Sequence, residues 1–539
     1  ADLMPIVVPE EFSRAGNRNH QGDHKPIGDD VRFSYGTAGF RDHADRLPFI
    51  VFRMGYLAAL RARTVGKAIG VMITASHNPE EDNGVKIVDP KGEMLAGEWE
   101  KYATELVNAT DDELPTAIRA LEVQLNASSK CPHGVAVVCG RDTRASGKWL
   151  TKAVESGAAL FKVPFMDKGE LTTPQLHYVV RVTNEPEWGA EGETGYYENF
   201  SNYFDWLLEM MPMRAGYDNK LHLDCANGIG AKKMRLLYDR LPKNALAIEF
   251  LNENGRLNHE CGADYVKIAR KAPANFESVP AYERCAVFDG DADRLVYFYK
   301  KDGGEIELLD GDKIALLIAK YYKDHLSELG LDNLTFAIVQ TAYANGNSSR
   351  YMTEQLGITP VFVPTGVKHL HHEALKYDVG VYFEANGHGT VTFSPKLYKE
   401  LENSNSDTAR RLWLMSRVIN EIVGDAMADL LAVELILRHY NWSVREWAAM
   451  YEDAPSKQLK IPVDDRSLFK TTRDETRLVE PSNLQKTIDD VVGKRNKARA
   501  FVRPSGTENI VRVYAECESQ TEADDLAREI ETALKALTV

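Results

Sequence analysis

A serine in a loop of small residues is the first group in this sequence that could do chemistry. Ser76 lies in the segment Thr-Ala-Ser-His-Asn-Pro, directly after the apolar run at residues 69–73. A serine hydroxyl is a weak nucleophile unless a base activates it, and Ser76 lacks the Gly-x-Ser-x-Gly elbow of the hydrolases. His77 could be that base, although adjacent side chains of an extended segment usually point apart. We therefore interpret Ser76 as a carrier of phosphate, whose charge of roughly −1.5 to −2 would need a cation beside it.

Three aspartates at alternate positions could bring that cation. Asp289, Asp291 and Asp293 follow an apolar strand, and carboxylates at this spacing in a loop of small residues can converge on one divalent ion. A calcium-binding EF-hand would have Gly at its sixth position and Glu at its twelfth, where this sequence has Arg294 and Lys300. A solvated acidic turn is the alternative. We predict one Mg²⁺, with Mn²⁺ as the other candidate ion, bound by the three aspartates and the phosphorylated serine.

The loop at residues 383–389 carries groups that suit a sugar. Glu384 and Asn386 are one residue apart, which fits neighbouring sugar hydroxyls, and Gly387 would let a substrate approach the backbone closely. A plain strand-end turn fits this spacing about equally well.

Residues 364–372, just before that loop, contain one lysine and three histidines. No nearby cysteine or aspartate has the spacing of a metal ligand, so we predict substrate contact or proton transfer for Lys368 and His369. For His371 and His372, ordinary surface positions at the start of a helix are an equal alternative.

The segment at residues 503–512 has the composition of a phosphate-binding loop. Two guanidiniums, two hydroxyls, an amide and backbone N–H groups freed by a glycine are what a phosphate dianion requires. The segment offers no nucleophile, so it should hold the phosphate that does not react; a polar turn is the alternative. The residues predicted to bind this phosphate are Arg503, Ser505, Gly506, Thr507, Asn509 and Arg512.

Apolar strands that end in loops of Gly, Ala, Asn or Asp recur along the chain and must position these groups. Near-continuous apolar runs separated by helical patterns predict mixed or parallel sheets covered by helices, with ligands at the carboxyl ends of strands. The acidic composition of residues 184–199 predicts a linker or an exposed loop. Near the C-terminus, an alternating strand at residues 510–515 followed by an amphipathic helix predicts a small α+β unit. The apolar runs lie at residues 70–73, 133–138, 221–224, 285–288, 336–339 and 379–383.

The composition of the chain indicates which classes of binding partner and which cellular compartment to expect. The chain has 539 residues, 44% hydrophobic and 27% charged, which predicts several globular domains. A formal charge of −15 gives no electrostatic case for nucleic acid or an anionic membrane, so an anionic substrate must meet a local arginine cluster. Six dispersed cysteines without a Cys-x-x-Cys pair indicate neither a zinc site nor a disulfide framework. With no signal-peptide core and no run of about 20 apolar residues, we expect a cytoplasmic protein.

The four loops together resemble the signature loops of the α-D-phosphohexomutase superfamily, in the same order, from about residue 35 to the C-terminus. Two details resemble the branch of the superfamily that acts on N-acetylglucosamine phosphates. The sugar loop has the sequence Glu-Ala-Asn-Gly-His instead of Glu-x-Ser-Gly-His, and the segment at residues 366–372 also resembles that branch. The segment Gly-Arg-Asp-Thr-Arg at residues 140–144 also follows the serine loop by about 65 residues, whereas it precedes that loop in phosphoglucomutases and phosphomannomutases.

This resemblance implies an α/β fold of four domains around a central cleft. Three related α/β domains with mixed sheets would be followed by a smaller C-terminal α+β domain, and each domain would contribute one loop. The expected boundaries are residues 1–185 with the phosphoserine loop, 186–300 with the metal loop, 301–445 with the sugar loop and 446–539 with the phosphate loop.

The resemblance also implies the reaction. N-acetylglucosamine 6-phosphate and N-acetylglucosamine 1-phosphate would interconvert through a phosphoserine enzyme and a 1,6-bisphosphate, with a bisphosphorylated sugar as activator, in UDP-N-acetylglucosamine biosynthesis. Arg41 and Arg294 would stabilise the transferring group, and Lys86 and His369 would transfer protons. Glu384, Asn386, Gly387 and Lys368 would bind the sugar. The alternatives are a phosphoglucomutase or phosphomannomutase, a phosphatase, or a non-catalytic phosphosugar-binding protein.

Overall fold

The computed structural model describes residues 5–127, 133–211, 216–506 and 509–537. The chain forms two compact units, each made of two stretches of sequence. The first comprises Ala1–Leu308 and Leu414–His439, and the second comprises Leu309–Trp413 and Tyr440–Val539. No helix within the described ranges is both long and apolar enough to cross a membrane. Five cysteines are free and buried, and Cys131 lies outside the described residues.

The first sheet of unit 1 has five strands in the order β1-β3-β2-β4-β5. The strands β2, β4 and β5 are parallel, and β3 runs antiparallel to both β2 and β1. The strands are β1 (Phe40–His43), β2 (Ala68–Ile73), β3 (Asp82–Val88), β4 (Ala136–Arg141) and β5 (Phe165–Glu170). Five helices belong to this region: α1 (Pro48–Val65), α2 (Gly97–Asn108), α3 (Leu114–Gln124), α4 (Gly147–Ala159) and α5 (Thr173–Asn184).

Almost every residue of α1 is buried, because α4 covers it on one side and α2 and the strands β2 and β4 cover others. The backbones of α1 and α4 also approach each other closely. A Cβ added at Gly157 of α4 would lie 1.9 Å from the Phe52 carbonyl oxygen, and one added at Gly55 would lie 2.3 Å from that of Val154. Only glycine permits such an approach of two helix backbones. The pair forms the centre of the first hydrophobic core.

The second sheet of unit 1 has the order β10-β9-β8-β6-β7, with β6, β7 and β8 parallel and β9 antiparallel to β8. The strands are β6 (Lys220–Asp224), β7 (Ala247–Leu251), β8 (Cys285–Phe288), β9 (Leu295–Lys300) and β10 (Ile306–Leu309). The accompanying helices are α6 (Gly192–Glu209), α7 (Gly230–Tyr238), α8 (Ala263–Ala269) and α14 (Ala426–Tyr440).

Unit 2 contains a third sheet with the order β12-β11-β13-β14, in which only the β13–β14 pair is antiparallel. Its strands are β11 (Phe336–Gln340), β12 (Val361–Phe362), β13 (Val379–Phe383) and β14 (Gly389–Phe393). The helices of this region are α9 (Gly311–Glu328), α10 (Gly346–Tyr351), α11 (Val367–Ala374), α12 (Pro395–Glu402) and α15 (Val444–Ala448). The chain leaves unit 2 within α13 (Asp407–Val418).

The C-terminal part of unit 2 is a small α+β structure with its own hydrophobic core. Its antiparallel sheet has the order β15-β19-β18, and a separate pair of short strands lies beside it. The strands are β15 (Ser456–Pro462), β16 (Lys470–Thr471), β17 (Leu478–Glu480), β18 (Arg499–Pro504) and β19 (Ile510–Glu516), and the helices are α16 (Ser482–Gly493) and α17 (Gln520–Leu537).

The structure confirms the α/β class and the six apolar strands, which are β2, β4, β6, β8, β11 and β13. The prediction of a linker or exposed loop at residues 184–199 is wrong, because α6 begins at Gly192. Its buried Tyr196 and Phe200 pack against Tyr178, so aromatic packing outweighs the acidic, glycine-containing composition. The boundaries of the four domains stay a prediction.

Candidate active site

Ser76 lies just beyond the carboxyl end of β2 in a buried, left-handed conformation. Its φ is 46° and its side chain is 1% exposed. Arg41 on β1 donates a hydrogen bond from Nη2 to Ser76 Oγ over 2.8 Å. Ser76 Oγ in turn donates to Asp291 Oδ2 over 2.9 Å, although 215 positions separate the two residues. The predicted serine carrier, one predicted cation and one predicted metal ligand are therefore in direct contact.

A buried arginine from the Gly-Arg-Asp-Thr-Arg segment holds the serine loop. Arg144 Nη2 donates to the carbonyl oxygens of Ser76 and Asn78, each over 3.0 Å. Asp142 accepts from Arg144 Nε over 3.1 Å and from Thr74 Oγ1 over 2.7 Å, and Thr74 Oγ1 accepts from the Ser76 N–H over 3.0 Å. The sequence showed where this segment lies, and only the fold shows that it fixes the backbone around Ser76.

The three aspartates form the one acidic cluster of metal-binding geometry among the described residues, with potential ligand atoms within 4.8 Å of one another. Asp289 Oδ1 accepts the backbone N–H groups of Asp293 and Arg294 over 3.0 and 3.1 Å. In the described part of the chain, Asp289 Oδ2 and Asp291 Oδ1 are buried without a hydrogen-bond partner. Burial, followed by repulsion from Asp293 and Asp291, raises the pKa of Asp289 well above its ordinary value. Hard oxygen ligands that repel one another in a buried loop fit Mg²⁺.

The other predicted cations of unit 1 are Lys86 on β3 and Arg294 directly after the acidic cluster. Arg41 pairs with Gly84 in the β1–β3 register, so Lys86, two residues further along β3, lies on the same face of the sheet. Arg294 directly follows Asp293, and its guanidinium lies 3.7 Å from Asp264. Burial, followed by the charge of Arg294, lowers the pKa of His77 to about 4. His77 is therefore neutral near pH 7, and no hydrogen bond joins its imidazole to Ser76 among the described residues.

The predicted sugar loop of unit 2 is a tight turn between β13 and β14. The Gly387 N–H donates to the Glu384 carbonyl over 3.0 Å, and the His388 N–H donates to Asn386 Oδ1 over 3.0 Å. Gly387 has a φ of 94°, which a residue with a side chain rarely adopts. The Glu384 carboxylate makes no hydrogen bond or ion pair with any described residue, so it can bind a ligand hydroxyl.

Lys368 and His369 lie in the first turn of α11, and the imidazole of His369 is exposed. Partial loss of solvent around the ring is the main cause that lowers the pKa of His369 below its ordinary value. His371 is buried, with Nδ1 2.9 Å from the Tyr382 hydroxyl, so the surface interpretation of His371 is wrong. His372 is exposed, as that interpretation predicts.

The predicted phosphate segment places its two arginines side by side. Arg503 on β18 is opposite Arg512 on β19, and Arg512 is opposite Lys460 on β15, so three cations form a row on one face of the sheet. Like charges directly opposite destabilise a sheet, and an anion bound across the row would relieve that repulsion. Lys460 was missed by the sequence reasoning, because only the strand register places it beside Arg512.

Three other residues of that segment are described: Ser505 and Gly506 directly follow β18, and Asn509 directly precedes β19. Ser505 is buried and its N–H donates to the Ile510 carbonyl over 2.9 Å, and a Cβ at Gly506 would meet no atom within 4 Å. Asn509 accepts weakly from the Arg466 N–H over 3.5 Å. Thr507 lies outside the described residues, so its predicted role stays a prediction.

Glu475 is a second residue that the sequence reasoning missed. It has a φ of 62°, forms an ion pair with Arg503, and accepts a hydrogen bond from the Thr365 N–H over 2.6 Å. Arg503 also donates from Nη1 to the Tyr343 hydroxyl over 3.3 Å. The guanidinium of Arg503 is therefore held in place from two sides.

Family models match four segments of the chain. Phosphoglucomutase/phosphomannomutase, alpha/beta/alpha domain I matches residues 56–114, and the C-terminal domain of the same family matches residues 459–533. Phosphoacetylglucosamine mutase AMG1, domain II matches residues 189–296, and domain III matches residues 310–442.

Full-length relatives carry the same description. Phosphoacetylglucosamine mutase of Sus scrofa is 46% identical over 526 residues, covering 96% of each chain. A crystal structure of Aspergillus fumigatus N-acetylphosphoglucosamine mutase in complex with GlcNAc-6P and magnesium is 44% identical, with a TM-score of 0.90 over 95% of this chain and 97% of that one. A serine-to-alanine variant of the Aspergillus fumigatus protein in complex with glucose 1,6-bisphosphate is 43% identical, with a TM-score of 0.88 over 99% and 100%. The chain therefore belongs to the phosphoacetylglucosamine mutase family of the α-D-phosphohexomutase superfamily.

Proposed function

We propose that the chain interconverts N-acetylglucosamine 6-phosphate and N-acetylglucosamine 1-phosphate through phosphorylated Ser76 and a 1,6-bisphosphate, a step toward UDP-N-acetylglucosamine. The observation that carries this proposal is the contact of Ser76 Oγ with both Asp291 Oδ2 and Arg41 Nη2. The two Aspergillus fumigatus structures are complexes with GlcNAc-6P and magnesium and with glucose 1,6-bisphosphate, which supports the substrate, the ion and the bisphosphorylated sugar as activator.

Asp289, Asp291 and Asp293, with a phosphate oxygen of phosphorylated Ser76, would hold Mg²⁺. The unpartnered oxygens of Asp289 and Asp291 are the natural ligand atoms. When bound, the ion neutralises negative charge as the serine oxygen is released.

Phosphoryl transfer breaks the bond between phosphorus and Ser76 Oγ and forms a bond between phosphorus and a sugar hydroxyl oxygen. The hydroxyl proton must pass to a base, and Lys86 and His369 are the proposed proton carriers. The guanidinium of Arg41 already lies at hydrogen-bond distance from Ser76 Oγ, so it can bind the transferring group without rearrangement. Arg294 is proposed to share this role. The bisphosphate then returns its other phosphoryl group to Ser76 after it has turned around.

The residues of unit 2 are proposed to bind the rest of the substrate. Glu384, Asn386, Gly387 and Lys368 would contact the sugar, because the Glu384 carboxylate has no hydrogen-bond or ion-pair partner among the described residues and is only partly buried. The non-reacting phosphate would be held by Arg503, Ser505, Gly506, Thr507, Asn509 and Arg512. We infer that the row formed by Arg503, Arg512 and Lys460 attracts this dianion.

We also propose the four-domain division at residues 185, 300 and 445, with one loop per domain, and a cytoplasmic location. The three larger sheets, the separate three-stranded C-terminal sheet and the family-model matches support the division. The five free, buried cysteines support a reducing compartment.

Intact mass and turnover together test the reaction. The purified protein should lose the mass of one phosphoryl group on phosphatase treatment, regain it with a hexose 1,6-bisphosphate, and turn over N-acetylglucosamine 6-phosphate faster than glucose 6-phosphate. Ser76→Ala should abolish both the mass change and turnover. Ser201→Ala should keep both, because it removes a buried hydroxyl that donates to the Glu198 carbonyl within α6. Turnover by Ser76→Ala would refute the phosphocarrier mechanism. Faster turnover of glucose 6-phosphate than of N-acetylglucosamine 6-phosphate would reassign the substrate. Release of inorganic phosphate without formation of the isomeric sugar phosphate would indicate a phosphatase.

A further inference from the structure

Thr173 lies outside every motif of the sequence, yet it contacts the central aspartate of the acidic cluster. Thr173 Oγ1 donates to Asp291 Oδ2 over 2.6 Å, and the Thr173 N–H donates to the Asp291 carbonyl over 3.2 Å. Thr173 is 0% exposed, so water does not compete for these hydrogen bonds. One residue therefore holds both the side chain and the backbone of Asp291.

The Thr173 hydroxyl lies at the N-terminus of α5, which is stabilised by a capping box. Thr173 is the first residue of α5, and Thr172 before it caps the helix by accepting from the Gln175 N–H over 3.1 Å. Gln175 Oε1 accepts the Thr172 N–H over 3.0 Å, which completes a capping box. The N-terminal end of α5 therefore lies directly beside Asp291.

The two oxygens of Asp291 have different environments. Oδ2 accepts from Ser76 Oγ and Thr173 Oγ1, whereas Oδ1 is buried and has no hydrogen-bond partner within the described ranges. A carboxylate held through one oxygen presents the other in a constant direction, as the outer-shell partners of metal ligands do. Thr173 thereby fixes the direction in which Oδ1 faces the other carboxylates of the cluster.

Phosphorylation of Ser76 changes the donors available to Asp291. An ester oxygen carries no proton, so phosphorylated Ser76 cannot donate to Oδ2, whereas the Thr173 hydroxyl can donate in both states. In the phosphoenzyme, Thr173 is then the one donor to this oxygen that the described contacts provide.

We propose that Thr173 is a positioning residue of the metal site, whose hydroxyl keeps Asp291 oriented for the ion whether or not Ser76 carries a phosphoryl group. This inference rests on the proposed function, which supplies the ion and the phosphoserine. It assigns to Thr173 an effect on metal affinity, without contact with the substrate.

Three variants distinguish the effect of the Thr173 hydroxyl from the effect of the stability of α5. Thr173→Val keeps the branched shape and removes the donor, Thr173→Ser keeps the donor, and Thr172→Val removes the helix cap but leaves Asp291 untouched. Thr173→Ala also removes the donor and replaces the valine variant if that protein does not fold.

The readout is direct Mn²⁺ binding to full-length protein, measured from the electron paramagnetic resonance signal of free Mn²⁺, in phosphatase-treated and phosphorylated samples. We expect Thr173→Val to weaken Mn²⁺ binding about 10-fold, and more in the phosphorylated sample, with Thr173→Ser close to wild type. The Mg²⁺ concentration for half-maximal turnover should rise by a similar factor, with kcat at saturating Mg²⁺ within about 3-fold of wild type. Thr172→Val should lower thermal stability but keep wild-type Mn²⁺ affinity.

Equal Mn²⁺ affinity of wild type and Thr173→Val would overturn the role of Thr173 and leave the proposed reaction standing. An equal loss in Thr172→Val would overturn it too, because the stability of α5 would then set the affinity. Failure of the wild-type protein to bind Mn²⁺ would instead overturn the metal assignment of the proposed function, and this inference with it.

Discussion

Gly290, between Asp289 and Asp291, is where the acidic loop touches the backbone of the serine loop. A Cβ added at Gly290 would lie 2.3 Å from the Ser76 carbonyl oxygen, whereas real contacts of this kind stay above 3.0 Å. The two loops would have to separate by at least about 0.7 Å, because a close-packed interior offers little other relief. The 2.9 Å hydrogen bond from Ser76 Oγ to Asp291 Oδ2 could then lengthen to about 3.6 Å, which is no longer a hydrogen bond.

We expect Gly290→Ala to lower kcat by about 10- to 100-fold, since a misplacement approaching 1 Å costs on this order. The overpacking should also lower the free energy of unfolding by about 1 to 3 kcal/mol. The assay is kcat for N-acetylglucosamine 6-phosphate at saturating substrate and Mg²⁺, together with thermal unfolding. Gly97→Ala is the matched control, because a Cβ at Gly97, the first residue of α2, meets nothing within 4 Å. Wild-type kcat in Gly290→Ala would refute the idea that the spacing of these two loops sets turnover.

Two further predictions concern unit 2. Arg512→Ala should raise KM for N-acetylglucosamine 6-phosphate by about 10- to 100-fold, which corresponds to the roughly 1.5 to 3 kcal/mol of a charged hydrogen bond. Lys457 lies on the opposite face of β15, so the control variant Lys457→Ala should keep the wild-type KM. An unchanged KM in Arg512→Ala would contradict the phosphate assignment. Burial, followed by the charge of His372, lowers the pKa of His371 from 6.5 to about 4. The unfolded chain therefore binds the proton more readily than the folded chain. As the pH falls from 6.5 to 4, the free energy of unfolding should decrease by up to about 3 kcal/mol. Urea unfolding of wild type and His371→Gln across that range measures this loss, and parallel pH profiles of the two proteins would show that His371 does not cause it.

The elements and their chemistry could largely be read from local patterns. The apolar runs before Ser76, Asp289 and Glu384 are the strands β2, β8 and β13, because buried strands of mixed sheets need uninterrupted apolar residues. The helical start of α6 within the acidic stretch 184–199 could not be predicted in this way, because Tyr196 is stabilised by packing against Tyr178, on another helix.

The surface alternative for His371 failed for a related reason. Its position in α11 is compatible with exposure, and only packing against Tyr382 on β13 buries it. A local pattern does not contain the neighbour that removes water from a side chain.

The sequence by itself determined which residue types are available: a serine in a small-residue loop, three aspartates that can share a cation, and arginines in a chain of charge −15. Only the tertiary structure decided which of them meet. Ser76 reaches Asp291 across 215 positions, and Thr173 reaches it across 118. Arg503, Arg512 and Lys460 become neighbours through strand register alone. The physical reason is that chemistry depends on distances of about 3 Å between side-chain atoms, and such distances are set by the packing of remote segments.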